Sequence, residues 1–238
     1  MRKVWADLHL HTCLSPCADM QMQATAIVEQ AKKVGLDVIA ICDHNSAENV
    51  AAVVKAGQRE ALPVIPGIEI TSSEEVHILG LFGTEDDLMA VQQVVYENLP
   101  GENCEEAFGP QIIIDELDNV VGTNHKLLIG ATNLTLEKIV EIIHRFSGLA
   151  IASHVDRERF SLIGQLGFIP EGLELDAVEV SKPDAPAKEY GYPVLCSSDA
   201  HFLDDIGKNF SCFVLEEASF EEIGMALRQE LGRRIISN

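Results

Sequence analysis

Short apolar runs alternate along this chain with stretches whose apolar residues recur at helical spacing. Val4–His9, Asp37–Cys42, Leu62–Ile70 and Val76–Phe82 read as strands. Between the first two, Met22–Val34 gathers Ala26, Ile27, Ala31 and Val34 near one face and stops at Gly35, as a helix does. Ala47–Arg59 reads as a second helix. Leu149–Ser153, Ala177–Val180, Val194–Ser197 and Cys212–Leu215 continue the strands, with helices at Leu136–Phe146 and Phe220–Leu231. Strand–helix alternation predicts a parallel α/β fold.

One region breaks the repeat. From Thr84 the chain enters an acidic helix-like stretch, Glu85–Asn98, then passes Pro100-Gly101, Gly109-Pro110 and Val121-Gly122. Residues 84–147 are therefore expected to form a mostly helical insertion within a single domain spanning 1–238. It would serve as a lid over a site or as a cover for one end of the sheet.

Composition narrows the classes. At 47% hydrophobic and 23% charged, the 238 residues describe an ordinary globular chain. Seventeen basic against 38 acidic residues give a net charge of -21, which repels phosphate backbones and argues against long nucleic acid as a partner. No apolar run approaches a membrane span and the N-terminus lacks a signal-like stretch, so a cytoplasmic protein is expected. The six cysteines then read as thiols. Cys13-x3-Cys17 hints at zinc, but no second pair with ribbon spacing follows.

The histidines carry the chemistry. In Asp7-Leu8-His9-Leu10-His11-Thr12, strand alternation would project Asp7, His9 and His11 from one face. Two imidazoles with a carboxylate suit a divalent transition metal. Asp43-His44, Glu69, His77, His154 and Asp199-Ala200-His201 each fall at or near a predicted strand end. In a parallel barrel those ends meet on one rim, where active sites form. A catalytic zinc needs about three protein ligands, so this many candidates suffice for two or three ions. Multinuclear sites suit phosphoester hydrolysis, with a metal-bridging hydroxide as nucleophile. His125, in the insertion, and His144, in a helix, stand apart and read as structural.

Asp7-Leu8-His9-Leu10-His11-Thr12, Cys42-Asp43-His44-Asn45, Gly67-Ile68-Glu69-Ile70-Thr71, Ser153-His154 and Ser198-Asp199-Ala200-His201 together resemble the polymerase-and-histidinol-phosphatase (PHP) family, in its motif order. The resemblance implies a distorted (β/α)7 TIM-like barrel and two to three divalent metal ions (zinc, manganese or iron). It implies that His9, His11, Glu69 and Asp199 hold one ion, with Glu69 bridging to a second completed by His77 and His154. His44 and His201 would hold a third with an acid from the following loop. Here the sequence departs from the family's Ser-Asp-Gly: Cys13–Met20 offers only Asp19, with Cys17 as a substitute.

Arg157 and Lys182 follow predicted rim strands and are candidate phosphate contacts; local salt bridges to Asp156, Glu158 or Asp184 are the alternative. The leaving-group proton falls to Asp199, a nearby histidine such as His201, or water. The leading expectation is hydrolysis of a small phosphomonoester such as a sugar phosphate, nucleotide or histidinol phosphate. A nuclease acting on oligonucleotide ends, a metal-binding regulatory module without catalysis, and an amidohydrolase are the alternatives. The last lacks a matching strand-end lysine other than Lys182.

Overall fold

The computed structural model describes residues 1–182 and 191–236. Strands β1 (Arg2–Leu10), β2 (Val38–Ile41), β3 (Val64–Thr71), β4 (His77–Leu81), β7 (Leu149–Ala152), β8 (Ala177–Val180) and β9 (Val194–Cys196) follow one another around a barrel-like sheet. Beyond β9, Ala200 returns to the first strand: its amide donates to the His9 carbonyl and its carbonyl accepts from the His11 amide at 3.0 Å. That contact closes seven strands into a distorted (β/α)7 barrel. Two further strands extend the sheet: β10 (Ser211–Leu215) pairs antiparallel with the first half of β1, and β11 (Arg234–Ile236) pairs antiparallel with β10.

Helices α1 (Ala24–Lys33), α2 (Val50–Arg59) and α5 (Leu136–Arg145) cover the outside with Ile27, Val53, Ile139 and Ile143, packed on Ile39, Ile41, Ile68 and Ile78. A second cluster fills the interior: Val4, Ala6, Leu8, Ile65, Leu79, Ile151 and Leu195, with Ile223 of α7 (Phe220–Leu227). The final helix is shorter than its apolar pattern predicts, because Gln229 and Leu231 take positive φ.

Two expectations need correction. The sheet is not wholly parallel: β4 runs antiparallel to both β3 and β7. The reversal has a purpose for the rim, since it sets His77, the first residue of β4, beside Thr71, the last of β3. Alternation also fails along β1. Leu8 belongs to the interior cluster and Leu10 to the outer one, and the pairing with β2 shifts register between Asp7 and Leu10. Asp7 therefore leaves the face of His9 and His11, and accepts instead from the amides of Ser198 and Gly207, each at 3.0 Å.

Between β4 and β7, α3 (Glu85–Asn98) starts on a Thr84 cap and packs Leu88, Val91 and Val95 on the outer core. A single-turn α4 (Glu105–Phe108) and an antiparallel pair, β5 (Ile112–Ile114) and β6 (Val120–Thr123), follow. The helical expectation for 84–147 missed this hairpin, whose turn uses Asp118 at φ 65°. Asn45 fastens the segment to the barrel: its Nδ2 donates to the carbonyls of Leu128 and Gly130, both at 2.8 Å, and its Oδ1 accepts from the Thr71 amide.

Candidate metal centre

Glu69 stands on the inward column of β3 above Ile65, and five imidazoles surround its carboxylate. Oε1 lies 2.9 Å from His77 Nδ1, 3.4 Å from His154 Nε2 and 3.5 Å from His9 Nε2. Oε2 lies 2.9 Å from His44 Nδ1 and 3.6 Å from His11 Nε2. Asp199 adds a second carboxylate, with Oδ1 at 3.0 Å from His11 Nε2 and 3.3 Å from His9 Nε2. His201 stacks on His11 with ring centroids 4.1 Å apart. His9, His11 and Glu69 are wholly buried.

Short distance here does not mean hydrogen bonding. Both Glu69 oxygens and Nδ1 of His44 and His77 are buried and make no hydrogen bond, although they approach within 2.9 Å. Buried polar atoms left unpaired are costly. Donor atoms that crowd without hydrogen-bond angles aim their lone pairs at a shared point. Ligands about 2.0–2.1 Å from a tetrahedral zinc lie roughly 3.3 Å from each other, which matches the spacing seen. Three groups, His9–His11–Asp199, His11–His44–His201 and His44–Glu69–His77, each bring their donors within 4.8 Å of one another. The residues fit a multinuclear metal site.

The two carboxylates and His11 stand in charge states that suit it. Burial opposes ionisation of Glu69, but His77, His9 and His44 outweigh it and hold its carboxyl well below the usual range. Asp199 is held well below its ordinary value in the same way, by His9 and His11 against burial. Burial, with His201 and His44 nearby, pushes His11 well down, so it stays neutral. The carboxylates are thus in the form that binds metal, whereas His9 and His44, held up by Glu179 and Glu69 against burial, release a proton when an ion binds.

An outer layer aims the imidazoles. His9 Nδ1 lies 3.0 Å from Glu179 Oε1, on β8, and the same oxygen accepts from the His154 amide. His11 Nδ1 lies 3.0 Å from Ser15 Oγ, which donates to Asp43 Oδ1 at 2.6 Å. Carboxylates behind metal-binding histidines fix tautomer and ring orientation. Sequence reasoning missed Glu179; its signal is a charge inside the otherwise apolar Ala-Val-Glu-Val strand. The backbone carries strain at the same places, with positive φ at Asn45 (50°), His154 (31°), Phe160 (55°) and Asp199 (52°).

Not every expected residue arrives. Asp19 does not line the cleft over the cluster; its Oδ1 accepts from the Gln21 amide at 2.8 Å instead. Lys182 is exposed and does not line the cleft over the cluster. Asp184 lies outside the described residues. Arg157 does reach the cleft, donating to Asp199 Oδ2 and, through Nε, to Ser181 Oγ at 2.7 Å. Arg159, Phe160 and Ile129 also line it; the sequence reading passed over all three. Phe160 stacks on His77 with centroids 4.8 Å apart. His125 is exposed away from the cluster, and His144 pairs with Asp176 at 2.9 Å.

Known proteins share both the sequence pattern and the fold. The chain aligns over its full length with the uncharacterized protein YqxK of Bacillus subtilis, at 24% identity, and covers 65% of that protein. Over 90 residues it is 32% identical to the phosphoribosyl 1,2-cyclic phosphate 1,2-diphosphodiesterase of Eggerthella lenta, covering 36% of this chain and 33% of that one. The lesion-specific endonuclease Q of Pyrococcus furiosus superposes with a TM-score of 0.77 at 21% identity, covering 98% of this chain and 58% of its own. A structure of endonuclease Q with a 27-mer duplex bearing an abasic lesion superposes with a TM-score of 0.75. This chain thus spans about three-fifths of the length of these fuller relatives. The PHP domain family matches residues 7–165, and a PHP-associated region matches 184–230. With His9, His11, His44, Glu69, His77 and His154 all inside the matched segment, the chain belongs to the PHP family of metal-dependent phosphoesterases.

Proposed function

We propose that this chain hydrolyses a small phosphomonoester at the His–Glu–Asp cluster, using divalent transition-metal ions. The observation that carries the reading is the convergence of five imidazoles on the two unpaired oxygens of Glu69. His9, His11, Glu69 and Asp199 would hold one ion, His77 and His154 with Glu69 a second, and His44 and His201 would belong to a third. When bound, such ions lower the pKa of water and neutralise phosphoryl oxygens.

The chain's own residues supply the rest. Arg157 stands at the cleft with one face of its guanidinium on Asp199, where it would grip a phosphoryl oxygen and orient the ester. Arg159 brings a second cation to a protein of net charge -21. Phe160 and Ile129 wall the cleft and limit water. His201 would pass a proton to the leaving alkoxide.

Size favours a small substrate: the cleft encloses about 290 Å³, the low end for small-molecule sites. The strong negative charge argues the same way. The barrel itself does not decide the matter, since endonuclease Q shares it and holds a DNA duplex. Hydrolysis by metal-loaded protein should be measured on an aryl phosphate, a bis-aryl phosphate and a dinucleotide in parallel. Turnover of the monoester, lost in His9→Ala, supports the proposal. Turnover of the dinucleotide alone would replace it with a nuclease.

A further inference from the structure

The loop after β1 brings a sulfur to the cleft over the cluster. Residues 12–22 fold through tight turns: the Ser15 amide donates to Thr12 O, Ala18 to Ser15 O, and Met22 to Asp19 O. The Asp19 amide donates to the His201 carbonyl at 2.8 Å, which pins the loop alongside the rim. Its carboxylate then turns back onto Gln21. Two residues earlier, Cys17 lines the cleft together with His44 and His201. His44 is itself buried with an unpartnered ring nitrogen, and its donor atom groups with those of His11 and His201.

We infer that Cys17, and not Asp19, joins His44 and His201 as a protein donor to a thiophilic divalent ion of the zinc class. The inference rests on the metal reading above and extends it to a site of mixed sulfur and nitrogen donors. Thiolate favours zinc over magnesium, calcium or manganese. On binding, the Cys17 S–H bond breaks, the sulfur pair forms the bond to the ion, and the proton leaves to solvent. Cys13 offers the contrast. It is buried and points at the Ile112 carbonyl, so the Cys13-x3-Cys17 pair is not a shared site.

Cobalt(II) tests this without reference to turnover. Cobalt-loaded wild-type protein should show a thiolate-to-cobalt charge-transfer band, lost in Cys17→Ser and kept in Asp19→Asn. Cys17→Ser should also retain fewer zinc ions than Asp19→Asn by elemental analysis. Alkylation of the wild-type protein covers the case of a misfolded variant. Zinc should shield Cys17 from iodoacetamide while exposed Cys104 still reacts. Cobalt bound with no thiolate band, or a band that survives Cys17→Ser, overturns the inference and leaves the hydrolase reading standing. A wild-type protein that takes up no cobalt at all overturns both.

Discussion

His9 turns one ring nitrogen to Glu179, at 3.0 Å, and the other to the Glu69–Asp199 pair. A buried carboxylate thus fixes which nitrogen faces the centre. Glu179→Gln keeps the shape and removes the charge. It is expected to weaken metal affinity about 10–100-fold, read by competition with a chromophoric chelator, while the far-ultraviolet dichroism stays unchanged.

Metal should also act as a structural element. Without it, Glu69, His44, His77 and His154 hold buried polar atoms that lack partners. Dialysis against chelator is expected to lower the unfolding midpoint, and zinc or manganese to restore it. Free metal at a hundred times its dissociation constant contributes about 2.7 kcal/mol. An unfolding midpoint indifferent to chelation would contradict this.

Arg157 is expected to act on substrate and not on metal. Arg157→Ala should lower kcat/KM by roughly 10–150-fold, the loss of one charge-assisted hydrogen bond. Metal content should equal that of the parent protein. A loss of bound metal would make Arg157 a support for Asp199 instead.

Asn45 ties the 100–134 segment to the barrel beside the cleft wall residue Ile129. Asn45→Gly tolerates the positive φ and deletes three buried hydrogen bonds. It should cost about 2–4 kcal/mol and raise hydrogen exchange between residues 101 and 131. An unchanged exchange pattern there would show that the hairpin's own packing holds it.

Stability should carry a pH signature remote from the metal centre. A hydrogen bond to Asp176 holds His144 above its ordinary 6.5, against partial burial. A histidine raised in the folded state contributes stability that is complete below the unfolded value and fades as pH rises through the folded one. The urea midpoint difference between wild type and Asp176→Asn should therefore be larger at about pH 5.5 than at about pH 8.5.

The rim was legible because strand ends repeat a chemical theme: His-x-His, Asp-His and Asp-x-His each close an apolar run. What escaped has a different physics. A register shift within β1 turned Asp7 away, and no local period encodes a bulge. The direction of β4 is set by its neighbours, not by its own residues. Glu179 is one charge in a four-residue strand, readable only once burial is known. Cys17 and Asp19 share a loop whose turns decide which side chain faces His201. The hairpin residues Ile112–Ile114 and Val120–Thr123 are too short to outweigh the helical stretch before them.

The seam between Leu10 and Ala200 has a consequence for the order of events in folding. His11 and Asp199 are 188 positions apart and meet at that seam. A nascent or clipped chain that assembles β1–β4 still lacks His154, Asp199 and His201. Tight ion capture therefore certifies that the ring has shut, and any cut that opens the seam should release the ions before the helices melt.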